Sequence, residues 1–415
     1  MSLKIDELLS PKQREFFFAD DVRINLLTGS VRSGKTWISL LKFARAVWES
    51  DKSAKFLICG YTLATLKRNC LDLLLDLVGN SNFVYSLNKK EGRLFGRQLF
   101  IEGAGDSTSE QKIRGMTLNG AYCDEITLYN ENFVSMLLTR LSQPNAKLYA
   151  TCNPDSPLHY IKTKFIDRAE DGEIDCKVWH FVLTDNAFLS KEYIKNLSSE
   201  FSGVFYDRYI LGLWVKAEGL VYPMFGDDCI PPDEDRKYSE YCISMDYGIQ
   251  NPTAMLLWGY CDGVWYLMKE YYHSGRDSNV QKTDEEYYAE LEKLYQPIQA
   301  DLSGKRIDLI IDPSASSFIA LCRQKGAIRV LKANNTVIEG IQHTASALSN
   351  GKIKICRCCS STIKEFGLYS WDPDSDQDAV IKENDHAMDA VRYFVQTKRI
   401  YRDINRSSEP YHAIF

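Results

Sequence analysis

Residues 24–36 read INLLTGSVRSGKT: an apolar run, a loop of glycine, serine and basic residues, and the start of an amphipathic stretch that continues as WISLLKFARAVW. The loop GSVRSGKT, 29–36, satisfies G-x-x-x-x-G-K-[ST] without departure, and the strand before it and helix after it are the context this pattern requires. Gly29 and Gly34 let the backbone turn its amides inward around phosphates, with Ser30, Arg32 and Ser33 completing the loop. Lys35 reaches the terminal phosphates and Thr36 offers a hydroxyl to magnesium. The stretch therefore predicts a nucleoside triphosphate site at the edge of an α/β sheet.

Outward from the loop, KFLICGY, RQLFIEGA, NGAYCDE and KLYATCNP each read as a strand, with amphipathic segments between several of them, the alternation of an α/β sheet. Hydrolysis of a triphosphate needs a metal-orienting carboxylate and a group that activates water. Asp124 and Glu125, ending AYCDE, are the candidates, Asp124 for magnesium and Glu125 as general base. Thr151 and Asn153, ending another strand, are placed to sense the γ-phosphate. Gln13, in SPKQREFF, carries an amide with both donor and acceptor for an adenine edge. Arg32 is an additional cation inside the loop, suited to stabilising transition-state charge or to pairing with a local carboxylate.

At 415 residues the chain is long enough for two domains. Its 45% hydrophobic and 26% charged residues are ordinary for a globular protein. No run approaches the roughly 18 apolar residues of a membrane helix, and the first residues lack the apolar segment of a signal peptide, so no membrane association and a cytoplasmic location are expected. Twelve scattered cysteines without a secretory signal read as reduced thiols. A net charge of −6 argues against coating nucleic acid over the whole surface, while leaving room for a local groove. The acidic, proline-paired FGDDCIPPDEDRK places the linker at 225–238, between domains at 1–224 and 239–415. The last dozen residues read as frayed.

The second half sets carboxylates at strand ends, where burial without a partner is costly: Asp246 in ISMDYG, Glu270 in LMKEYY and Asp312 in LIIDPS. The final helix, DHAMDAVRYFVQTKR, adds Asp385, His386 and Asp389, with Asp385 and Asp389 at i and i+4 and His386 and Asp389 at i and i+3. Hard oxygen ligands of this kind suit magnesium or manganese. Strands and a helix each contributing an acid fit a metal-assisted nuclease. Other roles stay open for three of these residues: an edge-strand solvated Glu270, a helix-capping Asp385, and a buried structural His386 instead of a ligand or proton-transfer group.

The order SPKQREFF, GSVRSGKT, KIRGMTLNGAYCDE, YATCNP, LGLWVKAEGLVYP, SMDYG, IDPSA, DHAMDAVRY resembles the large terminase subunit of tailed bacteriophages over nearly the whole chain, nearest the subgroup with His-x-x-Asp in the last helix. The resemblance implies a P-loop additional-strand ATPase with a mostly parallel sheet, then a ribonuclease H-like α/β nuclease. It implies ATP and magnesium at the first site, magnesium or manganese at the second, and an Asp246, Asp312 and Asp389 triad. It further implies translocation of double-stranded DNA, cutting of concatemers, and action as a homo-oligomeric ring on the portal protein of a procapsid, a monomer alone, recruited by a small terminase subunit. The location implied is the host cytoplasm and the procapsid, not the mature virion. Arg114, upstream of AYCDE, is a candidate arginine finger. Competing readings are a helicase-type remodeller, which predicts a second ATPase-like domain after residue 240, a recombination nuclease, which leaves the phosphate loop without purpose, and an inert nucleotide-gated scaffold.

Overall fold

The computed structural model describes residues 9–106, 108–248, 252–273, 282–302, 304, 306–375 and 377–400; the C-terminal segment read as frayed lies outside them from residue 401. The first sheet is built from β1 Ile24–Gly29, β2 Lys55–Gly60, β3 Phe83–Ser86, β4 Glu91–Leu94, β5 Arg97–Gly103, β6 Gly120–Cys123, β7 Lys147–Cys152 and β8 Cys176–Phe181. Its order is β3-β4-β5-β2-β6-β7-β1-β8, antiparallel across β3, β4 and β5 and parallel elsewhere. Every residue of β1 and β6 is buried, as expected of parallel strands covered on both faces. β7 is inserted between the loop strand β1 and the Asp-Glu strand β6, the topology of an additional-strand ATPase.

The helix Lys35–Glu49 turns Ile38, Phe43, Ala44 and Val47 toward the sheet at helical spacing. Phe43 packs against Phe56, Tyr122 and Tyr149 with ring centroids 5.6–5.9 Å apart, which seats the helix over β2, β6 and β7 and fixes the mouth of the phosphate loop.

The second sheet comprises β9 Glu240–Asp246, β10 Thr253–Cys261, β11 Val264–His273, β12 Ile307–Ile311, β13 Ile328–Lys332 and β14 Ile353–Ile355, in the order β13-β12-β9-β10-β11-β14. β9, β10 and β11 form an antiparallel meander, while β12 and β13 run parallel to β9 on its other side. This is the ribonuclease H-like arrangement. Asp262 and Gly263, with φ 51° and 85°, form the two-residue turn that joins β10 to β11. The helix His386–Lys398 covers the sheet, with Phe394 stacked on Trp258 at 4.2 Å.

The chain forms two compact units: the residues up to Ile194 with Tyr206–Lys216, and Lys195–Phe205 with Ala217 onward. The segment 225–238, read from its composition as the linker, belongs to the second unit, where Phe225 stacks on Phe366 at 4.1 Å. Prolines and acidic residues mark an exposed, irregular path, and such a path runs over a domain surface as readily as between domains. All twelve cysteines are free, and no helix among the described residues is long and apolar enough to cross a membrane.

Candidate active sites

The phosphate loop is held from both sides. Ser30 N–H donates to Phe181 O at 2.9 Å, Val31 N–H to Tyr209 O at 2.9 Å, and the Ser30 hydroxyl to Ile210 O at 2.6 Å. Gly29, at φ 134°, lies so close to β8 that a Cβ there would meet Phe181 O at 1.8 Å, so only glycine fits. Gly34, at φ 87°, precedes the helix without any side-chain cap, which leaves the first-turn amides open to an anion.

Lys35 is 6% exposed and donates to Gly29 O at 2.9 Å, Ser30 O at 2.5 Å and Asn153 Oδ1 at 3.2 Å. Burial lowers its pKa to about 8, against the opposing pull of Cys152, Asp124 and Glu125. Asp124 Oδ1 accepts from the hydroxyls of Thr36 at 3.2 Å and Thr151 at 2.9 Å, and the same Thr151 hydroxyl accepts from Glu125 N–H at 3.1 Å. Thus Lys35, Thr36, Asp124, Glu125, Thr151 and Asn153, far apart in the chain, meet at the ends of β1, β6 and β7.

Glu125 has φ 54°, a left-handed conformation that costs a non-glycine residue energy and is often met at functional sites. Burial raises its carboxyl above the ordinary carboxylate range, reinforced by the charge of Asp124 and opposed by Lys35. A base poised closer to neutrality suits the activation of water.

The outer residues differ from expectation. Gln13 Oε1 is engaged in a reciprocal helix cap with Ser10, accepting from Ser10 N–H at 3.1 Å; the acceptor expected to read adenine is therefore occupied, and the Nε2 donor lies toward Gly34. Arg32, exposed and at φ 59°, has its carbonyl held by Asn186 Nδ2 at 2.8 Å. Arg114 has a 62% exposed side chain and pairs with Glu110 at 3.1 Å, away from the loop's own hydrogen bonds.

In the second unit, Asp246 ends β9 and Asp312 follows the adjacent parallel strand β12, placing both at one sheet edge. Asp246 Oδ2 and His386 Nδ1 are 2.9 Å apart. Burial raises the Asp246 carboxyl, with Asp389 adding and His386 opposing. Burial works against the His386 imidazolium, but the hydrogen bond and charge of Asp246, with Asp385 and Glu365, outweigh it and raise its pKa. Asp312 accepts from Ser314 N–H at 2.7 Å, Asn335 Nδ2 at 2.9 Å and Tyr393 Oη at 3.3 Å, and these bonds outweigh burial to lower its pKa. Asp389 Oδ1 accepts from Arg392 at 2.6 Å; Arg392, 2% exposed, also donates to the carbonyls of Asn335 and Thr336, both at 2.9 Å.

Glu270 does not face this group as an open ligand. Its carboxylate accepts from Ser361 N–H at 2.7 Å, Thr362 N–H at 2.9 Å and the Thr362 hydroxyl at 2.8 Å, capping the helix Ser360–Phe366. Asp385 sits at the cap position of the last helix but makes no side-chain capping bond. That bond comes from Glu365, a residue the sequence reading passed over, as it did Arg392. The i, i+3 spacing of Asp389 and Arg392 was a visible signal for their pairing; Glu365 had none.

Among the described residues, no three His, Cys, Asp or Glu side chains form a group that could hold a metal ion. The donor chemistry still fits a divalent cation. Asp246 and Asp312 are hard oxygen donors at one edge, and a cation there would offset the burial that disfavours the charged form of Asp246.

Residues 26–225 match the family described as terminase large subunit, T4likevirus-type, N-terminal. The large terminase of the thermophilic bacteriophage D6E is 38% identical, with a TM-score of 0.84, covering 94% of this chain and 98% of that one. The same protein solved in complex with ADP gives 38% identity and a TM-score of 0.82, with 94% and 99% covered. A curated large terminase subunit of Escherichia phage T5 is 24% identical over 168 residues, 39% of this chain and 36% of that protein.

Proposed function

This chain belongs to the large terminase subunits of tailed bacteriophages, DNA-packaging ATPases and nucleases, and from that premise we propose how its two units divide the work. The first unit binds ATP against the loop 29–36. Lys35 leaves the carbonyls of Gly29 and Ser30 for the phosphates, an exchange that suits a cation already desolvated. Glu125 takes the proton of the attacking water. Thr36 and Asp124 would hold magnesium, whose charge offsets that gathering on the phosphates. Thr151 and Asn153, bonded to Asp124 and Lys35, feel the loss of the γ-phosphate directly, which supports β7 as the element that passes hydrolysis into DNA translocation. Arg114, exposed on the surface, is suited to reach the ATP of a neighbouring subunit in a ring on the portal, and Arg32 to act within its own loop.

The second unit cuts concatemeric double-stranded DNA. Asp246, Asp312, Asp389 and His386 would hold magnesium or manganese, which activates water and stabilises the charge on the scissile phosphate. Among the described residues its sheet is built on a meander of antiparallel strands and no second ATPase-like sheet occurs, which speaks against a helicase-type remodeller. A small terminase subunit as the recruiting partner, and the host cytoplasm and procapsid as the location, belong to the same proposal.

The observation that carries the reading is the chain of hydrogen bonds joining Thr36, Asp124, Thr151 and Glu125, with Lys35 bonded to Asn153 two residues beyond Thr151. ATP hydrolysis and metal-dependent plasmid nicking, measured on one sample, test it. Glu125→Gln is expected to lower hydrolysis by about 10² to 10⁴-fold with nicking retained, and Asp246→Asn to do the reverse. Persistence of hydrolysis in the first variant, or of nicking in the second, would remove the assigned residue from its role. For Arg114, Arg114→Ala subunits that fail to poison a mixed assembly would sink the trans role.

A further inference from the structure

Two carboxylates link strand β11 to the helix that carries His386 and Asp389. Glu270, on β11, caps the helix Ser360–Phe366 through Ser361 and Thr362. Near the end of that helix, Glu365, 3% exposed, accepts from Tyr272 Oη at 2.6 Å through one oxygen. Through the other it accepts from Ala387 N–H at 2.7 Å and Met388 N–H at 3.2 Å. Tyr272 is itself on β11, two residues beyond Glu270. The helix His386–Lys398 has no capping bond from its own preceding side chain, so its first two available amides are satisfied from a distance by Glu365. The two residues so held lie between His386, whose imidazole meets Asp246 at 2.9 Å, and Asp389.

A carboxylate accepting three hydrogen bonds in a buried setting fixes position closely, because leaving any of the donors unpaired would cost the full desolvation penalty. We propose that Glu365 is a positioning residue of the nuclease: it sets the first turn of the last helix, and with it His386 and Asp389, relative to β9, while Glu270 and Tyr272 fix Glu365 from β11. This rests on the nuclease reading given above. It makes Glu270 and Glu365 supports of the site and not ligands to its metal.

The full chain carrying Glu365→Gln, and separately Tyr272→Phe, tests this. Three readouts are used: the plasmid nicking rate with the Mn²⁺ concentration giving half-maximal rate, the hydrogen exchange of the Ala387 and Met388 amides, and ATP hydrolysis. Glu365→Gln is expected to slow nicking and raise the Mn²⁺ midpoint by about 10- to 100-fold, the range typical of residues that orient metal ligands. Amide exchange at Ala387 and Met388 should quicken while ATP hydrolysis stays unchanged. Tyr272→Phe should move each nuclease readout in the same direction by less. Faster amide exchange with unchanged nicking and midpoint would overturn the proposal, leaving a helix cap with no part in the site. A loss of ATP hydrolysis alongside nicking would also overturn it, as general unfolding. Failure of the nuclease reading is separate: the unsubstituted chain would then not nick, or would nick equally well with Asp246→Asn.

Discussion

The two acidic sites of this chain are organised in opposite ways. At the end of β6, Asp124 and Glu125 are bonded to the residues proposed to act with them, Thr36 and Thr151, with Lys35 close by. At the edge of β9 and β12, each acid is satisfied by a different protein partner: Asp246 by His386, Asp389 by Arg392, and Asp312 by Asn335, Ser314 and Tyr393. In the first site the acids share hydrogen bonds with one another's neighbours, whereas in the second each acid is bonded to a separate set of protein groups.

Three measurements break or sharpen this contrast. The largest effect is expected from Asp389→Ala in metal-free protein. If Asp389 is held by Arg392, removing it strands a buried guanidinium and lowers unfolding free energy by about 3 kcal/mol, read by denaturant melts. If instead the acids repel one another at rest, stability rises, and the contrast fails. Next, Thr151→Val removes the bridge between Asp124 and the Glu125 amide. The kcat for ATP hydrolysis should fall about tenfold, the loss of roughly 1.4 kcal/mol from two hydrogen bonds, with nicking unaffected; an unchanged kcat would mean that preassembly at this site contributes nothing. The smallest effect concerns protons. Lys35 has its pKa lowered to about 8 by burial, and triphosphate raises it, so the bound state holds more protons and affinity falls as pH rises through about 8. Calorimetry at pH 8 in two buffers of different ionisation enthalpy should find uptake of about half a proton per ATP. Binding without uptake would show that Lys35 is already fully charged in the free loop.

Much of the first site was legible because its chemistry is local. GSVRSGKT and AYCDE each combine a strand, a turn and the reacting residues in one short stretch, so pattern and role coincide. The order of strands was not legible: nothing in KLYATCNP says that β7 is inserted between β6 and β1, because that follows from long-range pairing. Asp246, Asp312 and the last helix could be singled out by carboxylates ending apolar runs. Their partners could not, since Glu365, Asn335 and Tyr272 look like ordinary surface or strand residues until tertiary contacts are known. Glu270 drew notice for the same reason as Asp246, yet its charge is used on backbone amides. Composition places a linker at 225–238 because it reports exposure, whereas the compact units divide where packing changes, at 194–195, 205–206 and 216–217.

That last segment bears on how such a chain can be divided or recombined. Tyr209 and Ile210 clasp the phosphate loop from a stretch whose upstream neighbours, Lys195–Phe205, belong to the other unit. No single cut yields both units whole: division before residue 195 deprives the loop of its clasp, and division after 216 takes a piece of the second unit with the first. A chimera joined downstream of residue 216 inherits the loop and its clasp as one piece, together with the Lys195–Phe205 segment of the second unit.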